Sequence, residues 1–450
     1  MGEKELSEGW AITEIYLVGT VVTGNTPSKN NLEFYNGEFP WVKPGDINKT
    51  IYITETEETL SIEGAKKARL LPIGAVMVTC IGNLGNVSIA GKELATNQQI
   101  NSIIFNKYVN SKFGYYYILT LKKWLVENST STTISMVNKS NFEKAPFILP
   151  PRAEQNRIVE KLDLLFENIG RIKAKLYAIP LLLKNFRQAV LSQAVKGNLT
   201  ERLRKGKQFK EWCLVDAENV FEYVTSGSRG WAPFYDNVLG KQLFVRMTNM
   251  SYESLSLNLN KEKLQFLNLP LDLNEGKRTL LRKGDILISI TADIGMISFI
   301  SHDLPYESYI NQHICLARPK ESYNSQYIAM YLMSESGLGQ LRNLKRGVTK
   351  AGLSLGDIRS LKINLPPLSE QQEIILQVES LFAKADLIEK QYQVLKSQID
   401  NLPQAILSKA FIGGLVAQNP NDEPASELLE RIKETQTLSK QITKLTQVVA

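Results

Sequence analysis

Apolar residues recur at alternating steps of four and three along two segments of the chain, 149–199 and 365–415. This spacing is a heptad repeat, which predicts a long helix packed against another helix as in a left-handed coiled coil. In the first segment the apolar positions are Ile158, Leu162, Leu165, Ile169, Ile172, Leu176, Ile179, Leu183, Phe186 and Val190. In the second they are Ile374, Val378, Leu381, Ala385, Ile388, Tyr392, Leu395, Ile399, Leu402 and Ile406. Because one chain carries two equal seams, we expect the two helices to pair with each other.

The two helical segments are copies of one another, with 17 identities in 51 positions at an offset of 216. Both open with LPPxxEQ, and a Pro-Pro pair followed by an acidic residue is typical of a helix start. Gly197 and Gly413 are suitable helix ends. Pro180 and Pro403 fall inside the pattern, and each is expected to kink or split its helix.

Between the helical segments the pattern changes to short β-rich runs separated by glycine and asparagine turns. The β-rich runs are Ala75–Ile81, Ser102–Phe105, Asp285–Ile290 and Ile297–Ile300, and short helices are expected at Lys112–Val126 and Ser325–Leu341. The stretches that precede the two helical segments also resemble each other, more weakly. The sequence therefore predicts an α/β (α+β) fold with two similar globular domains separated by two long antiparallel coiled-coil helices in a pseudo-two-fold arrangement. The predicted divisions are head 1 (1–148), a central helical repeat (149–199), head 2 (200–364), a C-terminal helical repeat (365–415) and a helical tail (416–450).

Composition excludes several kinds of chemistry. The chain has only two histidines and three widely spaced cysteines, so neither a zinc cluster nor a histidine-based triad is supported. No Walker A or dinucleotide-binding glycine pattern occurs. The first residues are polar, and no apolar run is long enough for a membrane span, which favours a cytoplasmic protein. The net charge of +7 is compatible with nucleic-acid binding but does not establish it.

The alternation of heads and helical repeats, with repeats that open LPPxxEQ and close near Gly197 and Gly413, resembles the specificity subunit of type I restriction–modification enzymes. The resemblance covers essentially the whole chain. It implies a non-catalytic, prokaryotic subunit in which each head is a target recognition domain reading one half of a split, asymmetric DNA site. It further implies that the helices dock two methyltransferase subunits, which bring S-adenosylmethionine, and that restriction subunits join with ATP and magnesium. No cofactor is expected on this chain itself.

Candidate DNA-contacting residues lie in polar loops that differ between the heads, because heads that read different sequences should differ where they touch DNA. Arginine can fork onto guanine, hydroxyls can bond phosphates or base edges, and lysine can pair with phosphates. In head 1 the candidates are Thr23, Asn25, Thr26, Ser28, Lys29, Lys43, Ser129, Thr130, Ser131, Thr132 and Thr133. In head 2 they are Ser226, Ser228, Arg229, Arg246, Arg342, Lys345, Arg346, Thr349 and Lys350. Positions that match between heads, namely Gly85 with Gly295 and Asn97-Gln98 with Asn311-Gln312, are interpreted as scaffold.

Two other functions compete with this reading. A coiled-coil scaffold without a DNA role would need neither basic loops nor similar heads. A nuclease would need an acidic metal site, which the sequence does not offer.

Overall fold

The computed structural model describes residues 7–130, 134–205, 211–236, 241–270, 277–345, 352–435 and 437. The chain divides into two compact units. Unit 1 comprises Met1–Ala174 with Leu395–Ala450, and unit 2 is Lys175–Val394. Each unit therefore holds one head together with part of each helical repeat.

Short strands build both heads. In head 1 they are β1 (Ala11–Glu14), β2 (Gly19–Thr23), β3 (Tyr35–Val42), β4 (Tyr52–Ile53), β5 (Thr59–Leu60), β6 (Leu70–Leu71), β7 (Val76–Thr79), β8 (Val87–Ala90), β9 (Leu94–Thr96), β10 (Ile100–Phe105) and β11 (Pro146–Leu149). From Cys213 onward they are β12 (Cys213–Asp216), β13 (Phe221–Ser226), β14 (Tyr235–Asp236), β15 (Gln242–Val245), β16 (Phe266–Leu267), β17 (Ile286–Ser289), β18 (Ile297–Phe299), β19 (Glu307–Ile310), β20 (Ile314–Pro319) and β21 (Lys362–Leu365).

Helices cover the heads and follow them. They are α1 (Ile15–Val18), α2 (Ile62–Lys67), α3 (Ser111–Ile118), α4 (Lys122–Glu127), α5 (Lys139–Glu143), α6 (Arg152–Tyr177), α7 (Ile179–Val195), α8 (Glu201–Arg204), α9 (Ala217–Val220), α10 (Ser325–Met333), α11 (Glu335–Leu344), α12 (Leu355–Arg359) and α13 (Leu368–Ala410). Single 3₁₀ turns lie at Leu32–Phe34, Leu119–Leu121, Ala232–Phe234, Met247–Asn249, Lys261–Lys263 and Lys277–Thr279. The helix expected near 112–126 is thus interrupted by a 3₁₀ turn, and the one near 325–341 is divided at the extended residue Ser334.

The two heads share the central part of one strand plan, while their outer strands β4, β6 and β14 differ. In head 1 the sheets run β2-β10-β7-β8-β4 and β5-β3-β9-β6, and β1 pairs with β11. In head 2 they run β13-β20-β17-β18 and β14-β16-β15-β19, and β12 pairs with β21. In both heads one parallel pairing, β3 with β9 or β15 with β19, joins strands of the second sheet. The predicted α/β class with two similar heads is therefore confirmed.

Each long helix packs against an antiparallel neighbour within its own unit. In unit 1 Lys173 pairs with Asp400 at 3.0 Å, and Arg157 pairs with Asp422 at 2.7 Å. In unit 2 Arg187 on α7 bonds Asp386 on α13 at 2.7 Å and also reaches Glu389. Increasing numbers on one side meet decreasing numbers on the other, as the paired seams predict.

Alternate seam positions differ in burial. The buried row comprises Leu162, Ile169, Leu176, Leu183 and Val190 in the first repeat and Val378, Ala385, Tyr392 and Ile399 in the second. The intervening positions are more open: Ile172 is 52% exposed and Ile388 is 46% exposed. Two helices alone therefore bury only part of the apolar surface that the heptad pattern provides.

The two internal prolines behave differently. Pro180 follows a break at Ala178, between α6 and α7, as expected. Pro403 lies inside α13, which is bent and continues without a break to Ala410, so of the two expected effects the split does not occur at this proline. The flanking residues Ile399 and Leu407 are both buried, and their packing holds the turns on either side of the proline in place.

The LPPxxEQ motif anchors the start of each helical repeat to the adjoining head. Gln155 Nε2 donates to Pro150 O at 3.0 Å, and Gln371 makes the same bond to Pro366 O. Glu154 accepts the indole N–H of Trp10 at 2.9 Å, and Glu370 accepts that of Trp212 at 3.1 Å. Burial raises the pKa of the Glu154 carboxyl, and the Trp10 bond partly offsets the rise. The motif is thus a hydrogen-bonded joint.

Both repeats end at glycines with left-handed backbone, Gly197 at φ 75° and Gly413 at φ 78°. Beyond the second, residues 425–435 form a helix that returns to head 1, while residues 436 and 438–450 of the predicted helical tail lie outside the described residues. Ala425, Leu428 and Ile432 enter the core of unit 1, and the Ala425 N–H donates to Gly9 O at 2.8 Å. Among the described residues, no helix is both long and apolar enough to cross a membrane.

Candidate nucleic-acid interface

A polar loop follows the first long strand of each head. β2 ends at Thr23 and β13 ends at Ser226, and a glycine comes next in both. A Cβ on Gly24 would lie 2.2 Å from the Asn97 carbonyl oxygen, and one on Gly227 would lie 2.1 Å from that of Ile310. Only glycine permits such an approach. The two loops therefore occupy equivalent places, as the sequence predicted.

A tight turn lies beside each loop. The Asn97 N–H donates to Val42 O at 3.0 Å, and the Asn311 N–H donates to Val245 O at 3.1 Å. Each asparagine side chain accepts the N–H two residues on, from Gln99 or His313. The asparagines are turn-forming scaffold, as expected.

One cation follows the valine in each head. Lys43 comes after Val42, forms an ion pair with Glu58, and its Nζ lies 5.0 Å from the Trp41 ring centroid. Arg246 comes after Val245, and its Nη2 donates to Lys263 O at 3.4 Å. The two side chains have the same backbone position, but among the described residues an acidic partner is found for Lys43 and not for Arg246.

A hairpin turn completes the arrangement. Thr79 Oγ1 donates to Asn83 O at 2.5 Å and accepts the Asn86 N–H. Ser289 repeats both bonds with Asp293 and Met296. The residues at the turn, Gly82 and Ala292, have φ of 78° and 58°. Gly85 and Gly295 likewise have positive φ, which confirms their predicted role as scaffold.

Direct contacts join these segments into one surface in each head. In head 1, Thr26 Oγ1 donates to Gln98 Oε1 at 2.5 Å, and Ile81 forms a bridge with Met136. The Met136 carbonyl accepts the Thr130 N–H at 2.8 Å. We define edge 1 as Thr23–Lys29, Lys43, Ile81–Gly82, Asn97–Gln99 and Thr130.

The corresponding surface of head 2 is joined in the same way. Ser228 bridges to Asn311, and Thr291 bridges to Gly352. His313 Nδ1 lies 2.5 Å from Thr291 Oγ1. We define edge 2 as Ser226–Arg229, Arg246, Thr291–Ala292, Asn311–His313 and Gly352.

Some predicted residues hold the edges together. Thr23 Oγ1 donates to Asn101 Oδ1 at 2.6 Å. Asn25 Nδ2 donates to Lys67 O, and Ser129 Oγ donates to Val126 O. Ser228 is 3% exposed and its hydroxyl has no partner among the described residues. Arg342 forms an ion pair with Glu335 on its own helix, and this ion pair does not connect it to the residues of edge 2.

Other predicted residues are available to a ligand. Ser28, Lys29, Arg229 and Lys345 are exposed. The predicted residues Ser131, Thr132, Thr133, Arg346, Thr349 and Lys350 lie outside the described residues.

Several edge residues were missed from the sequence. Gln98 is exposed, and Gln312 and His313 are half-buried, although the Asn-Gln pairs were assigned to scaffold. Arg69 was also missed: its Nη1 donates to Thr23 O at 2.8 Å. The Asn-Gln pair that occurs in both heads could have revealed these residues. Its asparagine forms the turn, and its glutamine is left available on the surface.

The edges offer hydrogen-bonding side chains and cations instead of a catalytic centre. Within the described ranges, no three His, Cys, Asp or Glu side chains form a group that could hold a metal ion. Such a surface is suited to binding a polyanion and discriminating its groups.

Comparison with known proteins decides the family. The model of the type I restriction modification DNA specificity domain matches residues 7–180 and 244–397. The chain belongs to the type I restriction–modification DNA specificity family. It is therefore the DNA-recognition subunit of such a system and is not itself an enzyme.

Individual relatives agree with this assignment. The chain is 31% identical to the EcoBI specificity subunit of Escherichia coli over 73% of this chain and 72% of that one. It is 29% identical to the EcoKI specificity subunit of E. coli K12, over 96% and 97% of the two chains. The solved HsdS subunit from Thermoanaerobacter tengcongensis shares the fold, with a TM-score of 0.59 and 18% identity over 92% of this chain and 99% of that one.

Proposed function

We propose that the chain reads a bipartite, asymmetric site in double-stranded DNA, one half through edge 1 and the other through edge 2. The observation that carries this proposal is that both edges follow one backbone plan with different side chains. Lys43 stands where head 2 has Arg246, and Gln99 stands where it has His313. Two related domains that recognise different DNA sequences need a similar backbone at the binding surface and different hydrogen-bonding side chains on it.

Cations at the edges support DNA as the ligand. Lys29 in edge 1 and Arg229 in edge 2 are exposed on loops that occupy equivalent places. Phosphate contacts from such residues fix a protein's register on the duplex, while neighbouring polar side chains read the bases. A scaffold without a DNA role would not require exposed cations on equivalent loops of both heads.

Exchange of one head tests the proposal. Residues 205–360 are replaced by the equivalent segment of a relative with a different known target, and the hybrid is assembled with its methyltransferase partner. The methylated motif is then mapped across a genome. We expect one half-site to change and the other to stay. A change in both halves, or in neither, would contradict the proposal.

We further propose that the helical repeats dock two methyltransferase subunits. The half-exposed seam residues Ile172 in unit 1 and Ile388 in unit 2 occupy equivalent positions and leave apolar surface for a helix of a partner. The methyltransferase subunits would bind S-adenosylmethionine, and restriction subunits would bring ATP and magnesium. The complex would act in the prokaryotic cytoplasm, where its DNA lies.

Charge insertion on α13 tests the docking surface. Ile388→Glu places a carboxylate in the seam, whereas Gln391→Glu adds the same charge at an exposed polar neighbour. We expect Ile388→Glu to weaken assembly with the methyltransferase subunit at least tenfold, measured by calorimetry or analytical ultracentrifugation, and Gln391→Glu to leave it nearly unchanged. Equal affinities for the two variants, with intact circular dichroism, would place the docking surface elsewhere.

A further inference from the structure

Gln98 and Gln312 are the same residue at the same structural position in the two edges, which share their turn-forming glycines and asparagines. Each follows the turn-forming asparagine that bonds the valine carbonyl of the neighbouring strand. Neither glutamine side chain bonds the backbone of its own turn, since the asparagine alone performs that task. The shared glutamine is therefore not explained by the fold.

Each glutamine is held on one side and open on the other. Gln98 Oε1 accepts the Thr26 hydroxyl, and its amide hydrogens have no partner among the described residues. Gln312 Nε2 lies 3.1 Å from His313 Nε2, to which it must donate because an amide nitrogen accepts no hydrogen bond. Gln312 Oε1 and one amide hydrogen have no described partner.

The His313 ring extends this orientation in head 2. Because Nε2 accepts from Gln312, the proton of the neutral ring lies on Nδ1, which donates to Thr291 Oγ1. The Thr291 hydroxyl proton is then free to donate outward. Gln312 is thus fixed by a two-step hydrogen-bond relay, whereas Gln98 is fixed by a threonine from the adjacent loop.

A carboxamide with one acceptor and one donor free is the partner of adenine in the major groove, where it accepts from N6 and donates to N7. Guanine presents acceptors at both places and is rejected. We propose that Gln98 and Gln312 each read an adenine, one in each half-site, at corresponding positions. This inference rests on the proposed function of the edges. A residue shared by two readers should recognise a base that their half-sites share.

The experiment uses the chain assembled with its methyltransferase subunits and the mapped target. Each adenine of a half-site is replaced in turn by 7-deazaadenine, which keeps the N6 amino group and lacks the N7 acceptor. We expect one position in each half-site to lower affinity about tenfold, within the discrimination typical of a bidentate contact. In Gln98→Glu the sensitive position of one half-site should lose this dependence, because a carboxylate cannot donate to N7.

The two glutamines serve as each other's control. Gln98→Glu should also relax its half-site from adenine toward cytosine, whose N4 amino group a carboxylate accepts, and leave the other half unchanged. Gln312→Glu should relax the other half-site in the same way and leave the half-site of Gln98 unchanged. Uniform loss of binding without a change of motif would overturn the inference. If head exchange moves a half-site while neither glutamine variant alters base preference, the proposed function stands and this inference fails.

Discussion

Head 1 and head 2 share the central strands of their sheets and differ in the side chains at their edges. Thr79 and Ser289 close the same hairpin with the same pair of bonds, and Gly24 and Gly227 pass equally close to a neighbouring carbonyl. The cations on this frame have different partners: Lys43 pairs with the carboxylate of Glu58, while the Arg246 guanidinium donates to the backbone carbonyl of Lys263. The side chains at the edges therefore vary while the central strands that carry them stay the same, and mutations can test the two separately.

The largest expected difference between the units concerns one position of the helical repeats. Phe411 and Val195 are equivalent, and both are buried. The Phe411 ring centroid lies 5.4 Å from that of Phe113 and 5.2 Å from that of Tyr117. Phe411→Ala should lower the free energy of unfolding by about 3–5 kcal/mol, because it leaves a large cavity. Val195→Ala, which removes two methyl groups, should cost about 1.6 kcal/mol.

Urea denaturation of the full chain, followed by circular dichroism, measures both effects. Ile412→Ala is the control, since Ile412 is half exposed beside Phe411 and should change stability little. Equal losses at Phe411 and Val195 would show that the aromatic cluster is not a special source of stability in unit 1.

The two helix-start glutamates give the next largest contrast. Glu370 accepts from Thr200 and Trp212 and also pairs with Arg204 at 3.6 Å. Glu370→Gln replaces the charged acceptor of these hydrogen bonds by a neutral one. It should lower the free energy of unfolding by about 1.5–3 kcal/mol at pH 7. Glu154→Gln should be nearly neutral, because an amide oxygen still accepts the Trp10 N–H and burial disfavours the carboxylate.

The pH dependence of Glu154 has a definite sign. Its pKa is raised in the folded chain, so the folded state holds the proton more tightly than the unfolded state. Wild-type stability relative to Glu154→Gln should therefore increase as the pH falls from 7 through the folded pKa. Urea titrations at pH 7 and pH 4, the second below the ordinary pKa of a glutamate at about 4.3, measure this difference, and a constant difference would contradict the raised pKa.

Sequence periodicity was sufficient to locate the helical repeats, because a heptad pattern places an apolar residue at every third or fourth position over many turns. It located α13 closely, and Gly197 and Gly413 ended the helices as expected. At Pro403 the local rule for proline allows either a kink or a split, and it does not decide between them because it ignores the packing on both sides. The edges were located only in part, since β3 and β9 are brought beside the polar loops by parallel pairing, which alternation does not reveal.

Cations with and without acidic partners should contribute differently to DNA binding. Arg229 is exposed, whereas Lys43 pairs with Glu58. In the assembled methyltransferase, Arg229→Ala should reduce the slope of log affinity against log salt by about one if it contacts a phosphate. Lys43→Ala should change the slope less, because Glu58 already pairs with the Lys43 ammonium group and leaves it less available to a phosphate.

Binding titrations at several salt concentrations, with target and unrelated duplexes, measure both slopes. Lys29→Ala provides the matched measurement in head 1, at the exposed end of the equivalent loop. An identical slope for wild type, Arg229→Ala and Lys29→Ala would remove these loops from the phosphate contacts.

The smallest effect tests the shared hairpin turn. Gly82 and Ala292 occupy the same position with φ of 78° and 58°, and only glycine adopts that region without cost. Ala292→Gly should therefore stabilise unit 2 by about 0.5–1 kcal/mol, since relief of strain exceeds the entropy that glycine loses on folding. Gly82→Ala should destabilise unit 1 by about 1 kcal/mol. The urea midpoints of the two variants measure these changes in stability. Mapping of the methylated motif shows whether Ala292 also takes part in binding. A more stable Ala292→Gly variant with an altered half-site would mean that the Ala292 methyl group contacts DNA.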